Sequence, residues 1–151
     1  MKVDVKLNPA EQIVREKGLD PGGDVQMFHT QNVLRRIQKY MPNLTGLMIK
    51  LTIAQTDIRK SEIVTETPGA KYLFYGKVMI DPKLGVAGFM TPEGWRSRKF
   101  CKKALTNRDL NYSRHKNPKA GPRWDVAVST NEGAAMAADM QRFVNRRSGG
   151  K

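Results

Sequence analysis

One cysteine, Cys101, is the whole thiol content of the 151 residues. No internal disulfide and no cysteine-based zinc site can form, and a reducing compartment is the default expectation. The two histidines, His29 and His115, are too far apart to make a pair at metal-ligand spacing. No apolar run approaches the roughly eighteen residues that a membrane helix needs. The stretch Met1–Lys6 lacks the unbroken apolar core of a signal peptide. Acids are scarce, 14 against 27 Lys and Arg, and they are scattered singly. A divalent-ion nuclease would need several of them together. There is no Gly-rich loop ending in Lys-Ser or Lys-Thr and no Gly-x-Ser-x-Gly. Cys101 lies between Phe100 and Lys102, where cations favour thiolate. A nucleophile also needs a base and an orienting group, so this thiol reads as incidental. These absences predict a chain that is no enzyme and takes no cofactor.

What is abundant is positive charge, and it is concentrated. The net charge is +13, and residues 94–123 carry ten cations against the single acid Asp109. The cations are Arg96, Arg98, Lys99, Lys102, Lys103, Arg108, Arg114, Lys116, Lys119 and Arg123. Such a segment attracts a polyanion or an acidic protein face. It also repels itself unless something answers it. At this length one domain, 1–151, is expected, with a basic, loop-rich insertion at about 91–117.

Along the chain, Asn8-Pro9-Ala10-Glu11 reads as a capped helix start, ended by Gly18. Asp24 is placed to cap a longer helix reaching about Met41. Its stripe Met27, Leu34, Ile37 and Met41, flanked by Val33 and Tyr40, keeps three-and-four spacing. His29 at the stripe's edge reads as a packed or solvated residue. Leu47, Ile49, Leu51 and Ile53 alternate with Met48, Lys50, Thr52 and Ala54, which predicts a half-buried strand. Ile58 and Ile63-Val64 suggest a second strand. Ala70–Tyr75 fits a strand or a short helix, with Tyr72, Phe74 and Tyr75 as packing residues. The adjacent-strand aromatics of an RNA-recognition motif are absent. Val78–Ile80 and Val86–Phe89 read as a hairpin across a five-residue loop. Leu110–Tyr112 is a candidate strand inside the basic stretch, and Pro118–Pro122 is expected to be extended. A last helix runs from Trp124 to about Arg147, with a kink or break expected near Asn131–Gly133. Ser148–Lys151 reads as a flexible end. The fold class expected is α+β, with N-terminal helices and a C-terminal helix packed on one small, largely antiparallel sheet.

Three short segments stand in a fixed order. Pro42-x-x-Thr45-Gly46-Leu47 follows the long helix. Tyr72-x-x-Tyr75-Gly76 lies inside Pro68–Lys77. Gly121-Pro122-x-Trp124 leads into the last helix. The ordered set, covering roughly residues 24–147, resembles a family of tailed-phage proteins described as minor capsid, head–tail connector or tail-completion proteins. The resemblance favours a helix at Ala70–Tyr75. It implies a structural virion protein of the neck or upper tail that joins or completes head and tail. Neighbouring copies in a six- or twelve-fold ring, the head connector, the tail terminator and the tail tube proteins are the partners it implies. Transient contact with phage DNA is a further possibility, and no membrane would be involved. It implies a location in the virion, with assembly in the host cytoplasm. The long Thr91–Asn117 region departs from shorter relatives.

The runner-up is a basic DNA- or RNA-binding protein without sequence preference, held by phosphate neutralisation. A neck ring, however, must let the genome slide. Phosphate contacts multiplied by copy number would hold DNA rather than pass it. The basic stretch is therefore expected mainly at protein contacts.

Overall fold

Two helices form the spine. The computed structural model describes residues 9–67 and 69–149. Its elements are α1 (Ala10–Glu16), α2 (Asp24–Ile37), α3 (Leu47–Gln55), α4 (Ala70–Tyr75), β1 (Lys77–Ile80), β2 (Phe89–Thr91), β3 (Gly94–Arg96), β4 (Ala104–Asp109) and α5 (Trp124–Ser148). α2 buries Val25, Leu34 and Ile37, and α5 buries Trp124, Val128 and Met136, each set on one helical stripe. Ile37, Tyr40 and Met41 close with the three α5 residues into one core cluster, against which Leu73 and Phe74 of α4 and Met48 and Ile49 of α3 pack. A stacked pair, Phe28 and Phe143, with centroids 4.3 Å apart, extends the α2–α5 seam beyond that cluster.

A polar bar sets the register of the two helices. The Arg36 guanidinium donates to Glu132 and to Asp139, both at 2.5 Å. Lys39 Nζ and Tyr40 Oη also donate to Glu132. Arg36, chiefly, holds the Glu132 carboxyl down to about 2; Arg36 and then Arg142 hold Asp139 down to about 2. Sliding α5 by one turn would strip both carboxylates of these donors, so the network acts on specificity of pairing.

The α+β class stands, with antiparallel pairing and a C-terminal helix. The strands form two two-stranded sheets, β1–β4 and β2–β3, in place of one. Leu47–Ala54 is helix α3, not a strand. Its inward residues, Met48, Ile49 and the fully buried Thr52, follow helical spacing, while Leu47 and Ile53 are exposed. The apparent period of two was accidental. Residues 61–67 form no strand. Their neighbour is a helix, which has no free backbone ladder, so side chains bond instead. Thr56 Oγ1 accepts from Val64 N, Gln55 Oε1 accepts from Glu66 N, and the Thr52 and Thr65 hydroxyls bond each other at 2.8 Å.

Val78–Ile80 does not form a hairpin with Val86–Phe89. Asp81 N–H does donate to Val86 C=O, but there the two runs part. β1 takes β4 as partner, with Lys77 opposite Asp109 and Ile80 opposite Ala104. Phe89 turns to Arg96. The longer strand in the basic stretch is 104–109, so Leu110–Tyr112 lies just past it; Leu110 N–H still donates to Gly76 C=O. α5 is one continuous helix through Asn131–Gly133. α2 ends at Ile37, with turns to Tyr40, and Gly23 occupies its cap position while Asp24 sits in the first turn. Residues 118–119 form a turn rather than extended chain. The Asn8 cap, Pro68 and the end at Gly150–Lys151 lie outside the described residues. Among the described residues no helix is long and apolar enough to cross a membrane.

The chain exposes 11227 Å². A folded monomer of this length exposes about 7,700 Å². If the undescribed residues contributed the full extended-chain value, roughly 1,800 Å², the rest would still exceed a compact monomer by about 1,700 Å².

Candidate functional site

The three ordered segments converge on one spot. Gly46 (φ +80) starts α3 in the left-handed region, and Thr45 Oγ1 accepts from Leu47 N. Pro42 precedes this turn. Gly76 ends α4 at φ +70, with its N–H on Tyr72 C=O. A side chain at Gly76 would lie 2.7 Å from Pro122 Cβ and 3.1 Å from Tyr112 Oη. Gly121 N–H donates to Tyr40 C=O, Arg123 N–H to Phe74 C=O, and Lys116 Nζ to Leu44 C=O. Asn117 Nδ2 donates to both Gln38 C=O and Met41 C=O. The Trp124 ring meets Phe74 edge-on at 5.0 Å, and Phe74 meets the half-exposed Tyr75 at 5.3 Å. These motif residues build the body of the molecule. Tyr112, whose hydroxyl donates to Leu73 C=O, belongs to the same joint and carried no sequence signal.

The contact-seeking part lies elsewhere. Between Ile80 and Ala104 the chain leaves the body as an arm. Its root is Asp81, which is buried and takes a two-pronged bond from Arg98 at 2.7 and 2.9 Å. It also accepts from Lys83 N at 2.8 Å. Arg98 above all holds the Asp81 carboxyl down to about 2. Lys103 Nζ donates to Ala87 C=O at 2.6 Å. Gly88 is needed because a Cβ there would meet Arg96 C=O at 2.6 Å and the Trp95 indole nitrogen at 2.7 Å. The β2–β3 hairpin follows, with Met90 opposite Trp95. Opposed residues of an antiparallel pair share a face, and this face is open: Met90 is 72% and Trp95 62% exposed. Beyond it, Phe100 is fully exposed with φ +57. A bulky residue in that region carries strain of about 1–3 kcal/mol.

The ten cations are not one patch. Arg96 meets Glu93, Arg98 meets Asp81, and Arg123 meets Asp125 while lying over the Phe74 ring. Lys103, Arg114 and Lys116 donate to backbone carbonyls, and Lys119 stands over the Tyr40 ring. Among the described residues, Lys99, Lys102 and Arg108 have no side-chain partner. Among the described residues the acids are mostly taken in turn, leaving Glu11, Glu16, Asp20 and Glu66 without a described cation within reach. They are dispersed over α1, the following turn and the segment before α4.

A second feature escaped the sequence altogether. A groove of about 520 Å³ runs between α2, α5 and residues 61–65. It continues into a space of about 360 Å³ beside α4, the two sharing Ile63, Thr65, Phe74 and Trp124. Val33, Ile37 and Met136 line its apolar part, and Gln26, Ser61 and Ser129 stand on its polar side. His29 is exposed there; His115 is exposed elsewhere. Among the described residues no three His, Cys, Asp or Glu side chains cluster to hold a metal ion. Comparison with protein-family models, with curated proteins and with solved structures finds no match.

Proposed function

We propose that this chain is a structural subunit of the neck or upper tail of a tailed phage, where rings of it join or complete head and tail. The arm is the observation that supports the reading. It is anchored rigidly at Asp81 and Arg98, yet presents Trp95, Met90 and a strained Phe100 to solvent. Exposed aromatic and methionine side chains are enriched at protein interfaces. The surplus of about 1,700 Å² supports the same reading, as surface for neighbouring copies to cover. Among the described residues the free acids are few and dispersed, which argues against another copy as the partner of the three unpartnered cations. They are assigned to an acidic neighbour of a different kind, such as the head connector, the tail terminator or the tube.

The charge-reduced variant Lys99→Gln, Lys102→Gln and Arg108→Gln tests this assignment. It is expected to block head–tail joining while its far-ultraviolet circular dichroism stays that of the parent. The competing reading, a DNA binder without sequence preference, expects duplex affinity whose salt slope falls by about 2.7 when three phosphate contacts are lost. Joining that persists in a variant that has lost DNA binding would overturn the protein-contact assignment.

A further inference from the structure

We infer that the arm of one copy seats in the α2–α5 groove of the next, the Met90–Trp95 face and Phe100 filling its apolar part. This rests on the ring reading above and names the contact that would close the ring. Three observations point the same way.

The first is chemical fit. The groove's walls carry the half-buried apolar side chains Val33, Ile63 and Phe74, over a floor of Ile37, Trp124 and Met136 that the chain's own core already buries. The arm carries the apolar side chains that its own chain leaves unburied. A buried indole N–H needs an acceptor, and the Ser61, Thr65 and Ser129 hydroxyls line the groove to supply one.

The second is strain. Phe100 holds a left-handed backbone and touches nothing that would reward it. Strain of that kind persists where something over-determines it, and in the isolated chain nothing does.

The third is area. Arm and groove are different surfaces, so their pairing is head-to-tail, and such a contact closes into a ring when its rotation permits. Each copy then buries one arm face and one groove face. A standard contact covers about 800 Å² on each partner. Two such faces come to roughly 1,600 Å², close to the surplus of about 1,700 Å² that the single chain exposes.

The test uses the full chain, with native mass spectrometry and sedimentation reporting assembly. Trp95→Ala and Phe100→Ala damage the arm; Ser129→Trp fills the groove from an exposed helix position. Parent protein is expected to form closed oligomers. Each arm variant should weaken assembly by at least about 30-fold, the scale of an aromatic hot spot, and Ser129→Trp should do the same. Circular dichroism confirms that each variant is folded. Mixing Trp95→Ala with Ser129→Trp is the decisive arm. One brings an intact groove and the other an intact arm, so a heterodimer should form and stop at two copies. Variants that keep their rings, or a mixture without the heterodimer, overturn the arm-in-groove contact and leave the ring reading standing. A parent chain that is monomeric at every concentration and absent from purified particles overturns the ring reading itself.

Discussion

Replacing Asn117 should loosen the joint on which the body depends, and the size of the effect follows from two bonds. Its amide donates to Gln38 C=O at 2.8 Å and to Met41 C=O at 2.9 Å, satisfying the turn that ends α2. Met41 beside them is fully buried. Each such bond contributes about 1 kcal/mol net. Asn117→Ala should therefore cost about 2 kcal/mol, which for a chain of this length lowers Tm by roughly 4–8 °C. Asn117→Asp keeps the shape but sets a carboxylate against two carbonyl oxygens. It should cost more than alanine at neutral pH. Lacking donors, that carboxyl would titrate above its usual range, so the folded state favours its protonated form. The excess penalty over alanine should then shrink as pH falls through the carboxyl's titration. The assay is urea unfolding at pH 7 and pH 5, with m unchanged across the variants. An alanine variant within about 0.5 kcal/mol of the parent would refute the reasoning. So would an aspartate variant no worse than alanine at pH 7.

Acid should unpick the α2–α5 seam. Glu132 and Asp139 are held down to about 2 by Arg36, so the stability they contribute is full above the ordinary carboxylate range and drains as pH falls from about 5 towards 2. Thermal melts at pH 7, 5 and 3 should show little change between the first two and a clear drop at the third; equal Tm at all three would contradict this. Gly76→Ala should destabilise by about 1–3 kcal/mol, through a left-handed φ and a Cβ driven into Pro122, in chemical denaturation. Cys101→Ser should leave particle assembly and infectivity unchanged; loss of infectivity with an intact fold would mean that the thiol has a role of its own.

Long, periodic segments were legible from the residues alone. The reading of α5 as Trp124 to about Arg147 lies within one residue of the observed helix, and the α2 stripe was right at Leu34, Ile37 and Met41. Short segments were not. Leu47–Ala54 fits two periods at once, and what decides between them is the burial of Thr52 against Thr65, a tertiary contact. The partner of β1 lies more than twenty residues away, and nothing in Val78–Ile80 announces β4 rather than the nearer Val86–Phe89. Charge counting found the right region and overcounted its free members, because backbone carbonyls and aromatic rings engage cations without leaving a pattern in sequence. The groove had no linear signal: Val33, Ile63, Phe74 and Met136 come from four separate segments.

The arm also has a meaning for the chain's own folding. β1 and β4 meet at Ile80 and Ala104, so the 23 residues between them form a closed excursion from a body that is continuous across its root. Closing a loop of that length in place of a four-residue turn costs about 1.5 kcal/mol of chain entropy. The strain at Phe100 and the apolar side chains left in water add to the burden. A lone chain without residues 82–102 would have less to overcome in folding. Within the chain, the Asp81–Arg98 pair, the Lys103–Ala87 bond and the β2–β3 ladder are what offset that cost.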